Sequence, residues 1–509
     1  MEEQLVTAII MFIIMFPIFM TAVIMYVGQQ SERLCNALSL ATAATTFLAV
    51  VALYPEAVGG RVFEYELFEV LPQLAVSFRM DILSYSLALI SSFIWLLATV
   101  YSMDYMAHEH GGGRYYPVLM FTLGSCQGIF LAGDFFTLFI FFELMSLIAY
   151  ILVIHEETAD ALKAGYKYLI VTILGGLAIF LGVIISFEVA GTVSIGAGPL
   201  IEESTTLGWM AFFSFLIGFG IKAGMFPLHV WLPDAHPVAP SPASALLSGI
   251  MLKTGAYGLL RMIFNVFSPE LMQQANWDLI MAILAVITIL LGSAVALTQE
   301  DIKRRLAYSS VGQMGYIVLG MTVFNEQALT GDVFHIFTHA IMKSTLFLAA
   351  GAIIWKTGKR KIPEMAGLGR QMPVTFACFT VAAFAMIGIP PLNGFLSKWT
   401  LSLGFLEGGS AFFVLVLLIS SMLNAMYYLP IILPAFLGGE EHAEHGEEEE
   451  EYEHHDEEAL VFNVDEASFR MVAPLVILAL STLLFGIFPT NVFFDLSQYT
   501  AEFLMTGSF

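Results

Sequence analysis

Hydrophobic positions in this chain come in long unbroken runs. The first, Leu5 to Val27, holds 23 residues without a charge, where about 20 suffice for a helix to cross a bilayer core. Its leading flank, Glu2-Glu3, is acidic, whereas a secretory signal has a basic flank and a shorter core. The run therefore reads as a span. Comparable runs recur at 34–54, 80–102, 115–132, 134–154, 164–190, 207–229, 236–262, 277–298, 304–323, 330–356, 372–405, 410–437 and 468–490, which makes 14 segments, numbered here in chain order. Barrel strands would alternate over about ten residues. Unbroken runs instead predict helices, which satisfy their own backbone in lipid. The expected fold is all-α and membrane-integral.

Composition agrees. Of 509 residues, 58% are hydrophobic, 13% aromatic and only 12% charged, about half the charge of a soluble protein, which excludes a soluble enzyme. Cys35, Cys126 and Cys378 stand far apart, so no disulfide framework, zinc site or iron–sulfur cluster is expected from this chain alone. The net charge of −23 is unevenly spread: residues 440–458 hold 12 acids and four histidines. That charge argues against nucleic acid as a partner. His442, His445, His454 and His455 could bind a divalent cation, but a like-charge run reads first as a solvated segment.

Lysine and arginine set the expected orientation. The short loops after odd segments contain Arg33, Arg114, Lys163, Lys303, Arg304, Arg305, Lys356, Lys359, Arg360, Lys361 and Arg370; those after even segments offer little beyond Arg61, Arg79 and Arg261. Both termini are thus expected outside a plasma membrane, with loop 440–458 in the cytoplasm. Asp301, Lys303, Arg304 and Arg305 read as a helix cap with interfacial anchors.

Two stretches are broken by proline. Pro227, Pro233, Pro237, Pro240 and Pro242 interrupt segments 7 and 8, and Pro390-Pro391 interrupts segment 12. Such breaks at membrane depth persist only where protein or a wet cavity satisfies the freed backbone. Segments 7 and 12 lie five apart, each with a lysine near its break, Lys222 and Lys398. Tandem duplication of a five-helix unit inverts it. The expected organisation is 1–110 (three helices), 111–262 (segments 4–8), 263–437 (segments 9–13), the acidic loop 438–467, and 468–509 with segment 14. The site should lie near the midplane.

Charges within spans cost at least about 2.5–3.5 kcal/mol each and usually mark ion paths. Glu143, in FTLFIFFELMSLIAY, has no basic neighbour in sequence, and Lys222 is its expected distant partner. Lys253 and Lys398 are the other lysines well inside these broken helices. His335, His339 and Lys343 recur at i, i+4 along segment 11 and suit a proton relay. No facing histidine helix favours haem. His229 and His236, flanking Trp231-Leu232-Pro233-Asp234, could cap the broken helix or carry protons.

HVWLPDAHPVAPSPASALLSGIMLKTGAYGLLRM, FFELMSLIAY, IKAGMFPLH, QEDIKRRLAYSSVGQMGYI and GIPPLNGFLSKW resemble the proton-conducting antiporter family. That family supplies large membrane subunits of respiratory complex I, of membrane-bound hydrogenases and related ferredoxin-dependent complexes, and of Mrp-type cation/proton antiporters. The resemblance implies 14 helices with two inverted five-helix units. It assigns Glu143, Lys222, the bridging Lys253 and Lys398 to the proton path. Lysine at the last position favours the Mrp D-type and hydrogenase-type group, and an end at Phe509 soon after segment 14 resembles the shorter D-type subunit.

The expected function is a proton-translocating subunit of a larger membrane complex, with antiporter-like, small hydrophobic or redox subunits as partners. Protons, with sodium left open, are the cargo. Protons would enter from the cytoplasm, be held at Lys222 under control of Glu143, cross by Lys253 and the His335/His339 face, and leave from Lys398. No cofactor, metal or covalent chemistry is expected in this chain. A stand-alone solute carrier would need a polar or aromatic-lined substrate site, and a scaffold would pair its charges permanently.

Overall fold

The computed structural model describes residues 3–72, 74–109, 111–438, 464–488, 490 and 492–507. Most of the acidic loop, including residues 440–458 and the four histidines, lies outside the described residues.

Every predicted segment is helical. Eleven helices among the described residues are long and apolar enough to cross a membrane; they fill segments 1–3, 5–9, 11, 13 and 14. Segment 4 (Gly112–Phe130) and segment 10 (Ile302–Gly320) carry more polar residues, and segment 12 is divided into Pro373–Ile387 and Asn393–Glu407. Side-chain caps start several helices. Asp81, Asp134, Thr158 and Asn325 each accept a hydrogen bond from a backbone N–H three residues on, which satisfies a donor that would otherwise be orphaned at a helix start.

Segment 11 (Glu326–Thr357) is the axis of the bundle. Every residue from Ala328 to Ile353 is buried, and the helix packs against segments 3, 8, 10, 12 and 14. A helix with no lipid-facing side is free to carry polar groups on all faces.

Two elements escaped the sequence reading. Residues 63–80 form a β-hairpin, β1 (Phe63–Leu71) antiparallel to β2 (Leu74–Met80), between segments 2 and 3. Its alternation in EYELFEVL is too short to register beside the long apolar runs. A further helix, Val492–Thr506, follows segment 14 and packs on segments 11 and 3.

Three basic residues used for orientation are ties within the protein. Arg261 is fully buried and holds both oxygens of buried Asp81, at 2.7 and 2.8 Å. Lys303 is buried and donates to the Ala239 carbonyl at 2.6 Å, and Arg305 donates to the carbonyls of Gln299 and Tyr427. Asp301 does cap its helix, through the Arg304 N–H at 2.9 Å.

Candidate functional site

The break in segment 7 forms first. The helix Thr206–Ala223 ends at Gly224, whose φ of +69° is open to glycine but strained for other residues. The chain turns through Leu228–Trp231 and resumes as Leu232–Val238. The Trp231 indole N–H donates to the carbonyl of Ile221 at 2.9 Å and so satisfies a group freed by the break. Lys222 lies in the last helical turn, where the dipole favours a cation. Its Nζ donates to Tyr168 Oη at 3.1 Å and Ser146 Oγ at 3.3 Å, with the rings of Phe142, Tyr168 and Trp231 within 5.9 Å.

Glu143 is half-buried on segment 5, three residues before Ser146. It is not ion-paired with Lys222. Its Oε1 has no hydrogen-bond partner among the described residues, and its carboxylate lies against Gly176 of segment 6, whose missing Cβ leaves the space. The expected pair is therefore close but open, with the hydroxyls of Ser146 and Tyr168 taking the lysine.

Segment 8 carries the next lysine. A π-helical turn, Leu247–Met251, precedes Leu252–Arg261. Such turns loosen the i→i−4 ladder and often sit at functional sites. Here the Ser248 carbonyl accepts from Lys253 Nζ at 2.7 Å, and His339 Nδ1 lies 2.8 Å from the same ammonium. The lysine of one broken helix and the histidine of the central helix are thus joined directly.

Segment 11 continues the line. The imidazoles of His339 and His335 lie nearly parallel, 5.9 Å apart, and His335 Nδ1 is 3.0 Å from Ser397 Oγ of segment 12. The neighbouring Lys398 Nζ donates to the carbonyls of Met386 at 2.7 Å and Ile387 at 3.1 Å and to Ser421 Oγ at 3.0 Å, 5.1 Å from the Tyr316 ring. Lys343 donates to the Leu306 carbonyl at 3.0 Å, with Tyr428 Oη at 3.4 Å.

Lys222 and Lys398 sit on opposite sides of their breaks. Lys222 precedes Gly224, with Trp231 satisfying the freed carbonyl; Lys398 follows Gly388 and satisfies those carbonyls itself. The two lysines share the motif of a broken helix but differ in its wiring. Neither His229 nor His236 caps the break. Among the described residues, His229 Nδ1 and both nitrogens of His236 lack hydrogen-bond partners, and His236 stacks on Phe347 at 4.7 Å.

All six principal residues, Glu143 to Lys398, lie within residues 132–424, which match the family model described as NADH:quinone oxidoreductase/Mrp antiporter, TM. The chain belongs to the NADH:quinone oxidoreductase/Mrp antiporter family. Residues 72–116 match a second model, NADH-ubiquinone oxidoreductase (complex I), chain 5 N-terminus. This member of the family is 32% identical to the N subunit of the NADH-quinone oxidoreductase of Desulforudis audaxviator, over 96% of this chain and 97% of the relative. It is 30% identical to the D-type subunit of the Na+/H+ antiporter of Alkalihalophilus pseudofirmus, over 72% and 74%. Its fold superposes on a chain of the Mrp complex from Dietzia sp. with a TM-score of 0.86 at 25% identity, covering 99% and 98% of the two chains.

The antiporter-family site includes groups that charge alone did not reveal. Ser248 and Ser310 are 2.7 Å apart, Ser309 bonds Tyr427 and Tyr428 at 2.7 and 2.9 Å, and Ser293 meets Ser420 at 2.7 Å. Asp332, Gln313 and Asn393 are fully buried with polar atoms unpartnered among the described residues. The paired serines 309–310 and 420–421 within apolar runs were the available signal. A serine in a helix usually bonds its own backbone, so sequence alone does not tell a relay hydroxyl from an ordinary one.

Proposed function

We propose that this chain is a proton-translocating, antiporter-like subunit of a multisubunit membrane complex, working beside other membrane subunits. The carrying observation is the run of protonatable groups Lys253, His339 and His335 beside Lys398, with the Lys253–His339 contact at 2.8 Å and Lys222 on the helix that packs against that of Lys253. Hydrogen-bonded amines, imidazoles and hydroxyls pass protons without admitting a larger solute, and among the described residues no carboxylate holds any of these lysines within ion-pair distance. The midplane site therefore supports proton carriage over permanent pairing.

Orientation follows the loop charges, with both termini outside a plasma membrane. A cavity of about 1100 Å³ then opens to the cytoplasm, lined by Glu156, Lys167, Asp234, Ser241, Lys303 and Arg360 among others, and serves proton entry. Glu143, close to Lys222 but free of it, supplies the control: moving its carboxylate toward or away from the ammonium changes how firmly the proton is held.

The test is ion transport by the assembled, reconstituted complex carrying Glu143→Gln or Lys222→Ala. Both variants lose coupled transport. Near-normal transport in either assembled variant refutes the role of that residue.

A further inference from the structure

Asp332 was not among the residues singled out from the sequence, yet its carboxyl is among the most isolated charge-bearing groups of the bundle. It is fully buried on segment 11, and neither carboxyl oxygen has a hydrogen-bond partner among the described residues. A buried carboxyl without partners is costly, so a function is the economical reason to keep one. Its position supplies that function. Asp332 lies three residues before His335, which places the two on neighbouring turns of one helix face, about 5–6 Å apart at Cβ; His335 Nε2 is itself unpartnered among the described residues. On its other side the carboxyl packs against Gly320, where a Cβ would meet Oδ1 at 2.6 Å.

Gly320 ends segment 10, and two residues later Thr322 begins the wall of a cavity of about 490 Å³. That cavity is lined by Thr322–Asn325, Asp278 and Glu407 and lies at the end of the bundle bearing the loops after segments 8, 10 and 12. With both termini outside, this is the outer end. Segment 11 starts at Glu326, so Asp332 is six residues in, roughly 9 Å of helix rise. Along segment 11 it lies between the histidine pair and an acid-rimmed outer vestibule, whose nearest wall is Thr322–Asn325.

We propose that Asp332 is the proton-release carboxylate of this chain. The His335 imidazolium gives up its N–H proton, the Asp332 carboxylate takes it to become the acid, and the acid passes it along intervening water to the vestibule, where Asp278 and Glu407 draw it outward. One proton moves and no electrons are exchanged: the carboxylate returns when the acid releases its proton, and the imidazolium re-forms when the next proton arrives along the run of protonatable groups. The proposal rests on the proton-path reading above.

The experiment compares Asp332→Asn, Asp332→Glu and Lys222→Ala in reconstituted complex of matched assembly, with proton movement read by a pH-sensitive dye. Asn keeps the shape and polarity but cannot take a proton, so Asp332→Asn lowers transport about tenfold or more, while Asp332→Glu recovers a large part. A merely structural polar group tolerates Asn at least as well as Glu. Wild-type transport in Asp332→Asn with Lys222→Ala inactive overturns this proposal alone; wild-type transport in both overturns the proton path. If Asp332→Asn does not assemble, the vestibule pair Asp278→Asn/Glu407→Gln lowers transport roughly twofold or more at low external buffer, and an unchanged rate there overturns the proposal.

Discussion

A lysine sealed inside a membrane bundle must find neutral oxygen or an anion to hold its proton, and here it is consistently the former. Lys222 is held by two hydroxyls, Lys253 by a carbonyl and an imidazole, Lys343 by a carbonyl and a hydroxyl, and Lys398 by two carbonyls and a hydroxyl. A proton can leave any of them without stranding a paired carboxylate. Lys398 separates this reading from anchoring. It is 7% exposed and bonded to the end of the preceding half-helix, so it does not snorkel to an interface. Arginine retains its proton in proteins; Lys398→Arg therefore blocks ion transport almost as fully as Lys398→Met. Most of the wild-type rate in an assembled arginine variant would take Lys398 off the path. The Asp81–Arg261 pair has the opposite character. Both side chains are fully buried, with Arg261 Nη2 donating to both carboxylate oxygens, so Asp81→Ala leaves an unpaired guanidinium and costs about 3–5 kcal/mol. Thermal unfolding of the complex reads this, and Asp81→Ala with Arg261→Met recovers much of the loss.

At the scale of elements, the spans were legible from their unbroken apolar runs, and the breaks and buried lysines because proline and lysine do not belong in lipid. The wiring was less so. Glu143 and Lys222 were expected to pair because each lacked a local partner, yet Ser146 and Tyr168, unremarkable in sequence, take the ammonium. The β-hairpin, the C-terminal helix and Asp332 went unread for related reasons. Their patterns are short, or, for Asp332, eclipsed by the histidines beside it. One glycine shows how close packing serves the site. Gly176 gives the Glu143 carboxylate its place, and a methyl group there would collide with it. A methyl group on adjacent Gly175 would meet Ile221 no closer than 3.3 Å. Gly176→Ala therefore lowers coupled transport severalfold with the complex assembled, whereas Gly175→Ala is milder. Equal effects of the two substitutions would show that helix packing, not the carboxylate position, is what matters.

For the molecule as a whole, the acidic loop between segments 13 and 14 stands apart, with 12 acids within residues 440–458. Its flanks meet one place. Gly438 lies against Ala366 at 3.2 Å for an added Cβ, and Pro434 accepts from the Gly367 N–H at 3.0 Å. On the far side the Asp465 N–H donates to the Gln371 carbonyl at 2.8 Å, and Glu466 caps the start of segment 12 through the N–H of Val374 and the hydroxyl of Thr375. Both ends are therefore fixed to the stretch 366–375, independently of what lies between. The start of segment 14 is thereby tied to segment 12 through Asp465 and Glu466. Loop length itself alters closure entropy only weakly, and a run of 12 acids among 19 residues repels itself. Deleting residues 440–458 leaves assembly and ion transport largely intact, measured as subunit content and transport rate of the purified complex. Loss of assembly would mark the loop as a docking surface. Loss of transport in an assembled complex would mark it as part of the ion path, with its four histidines the first residues to test.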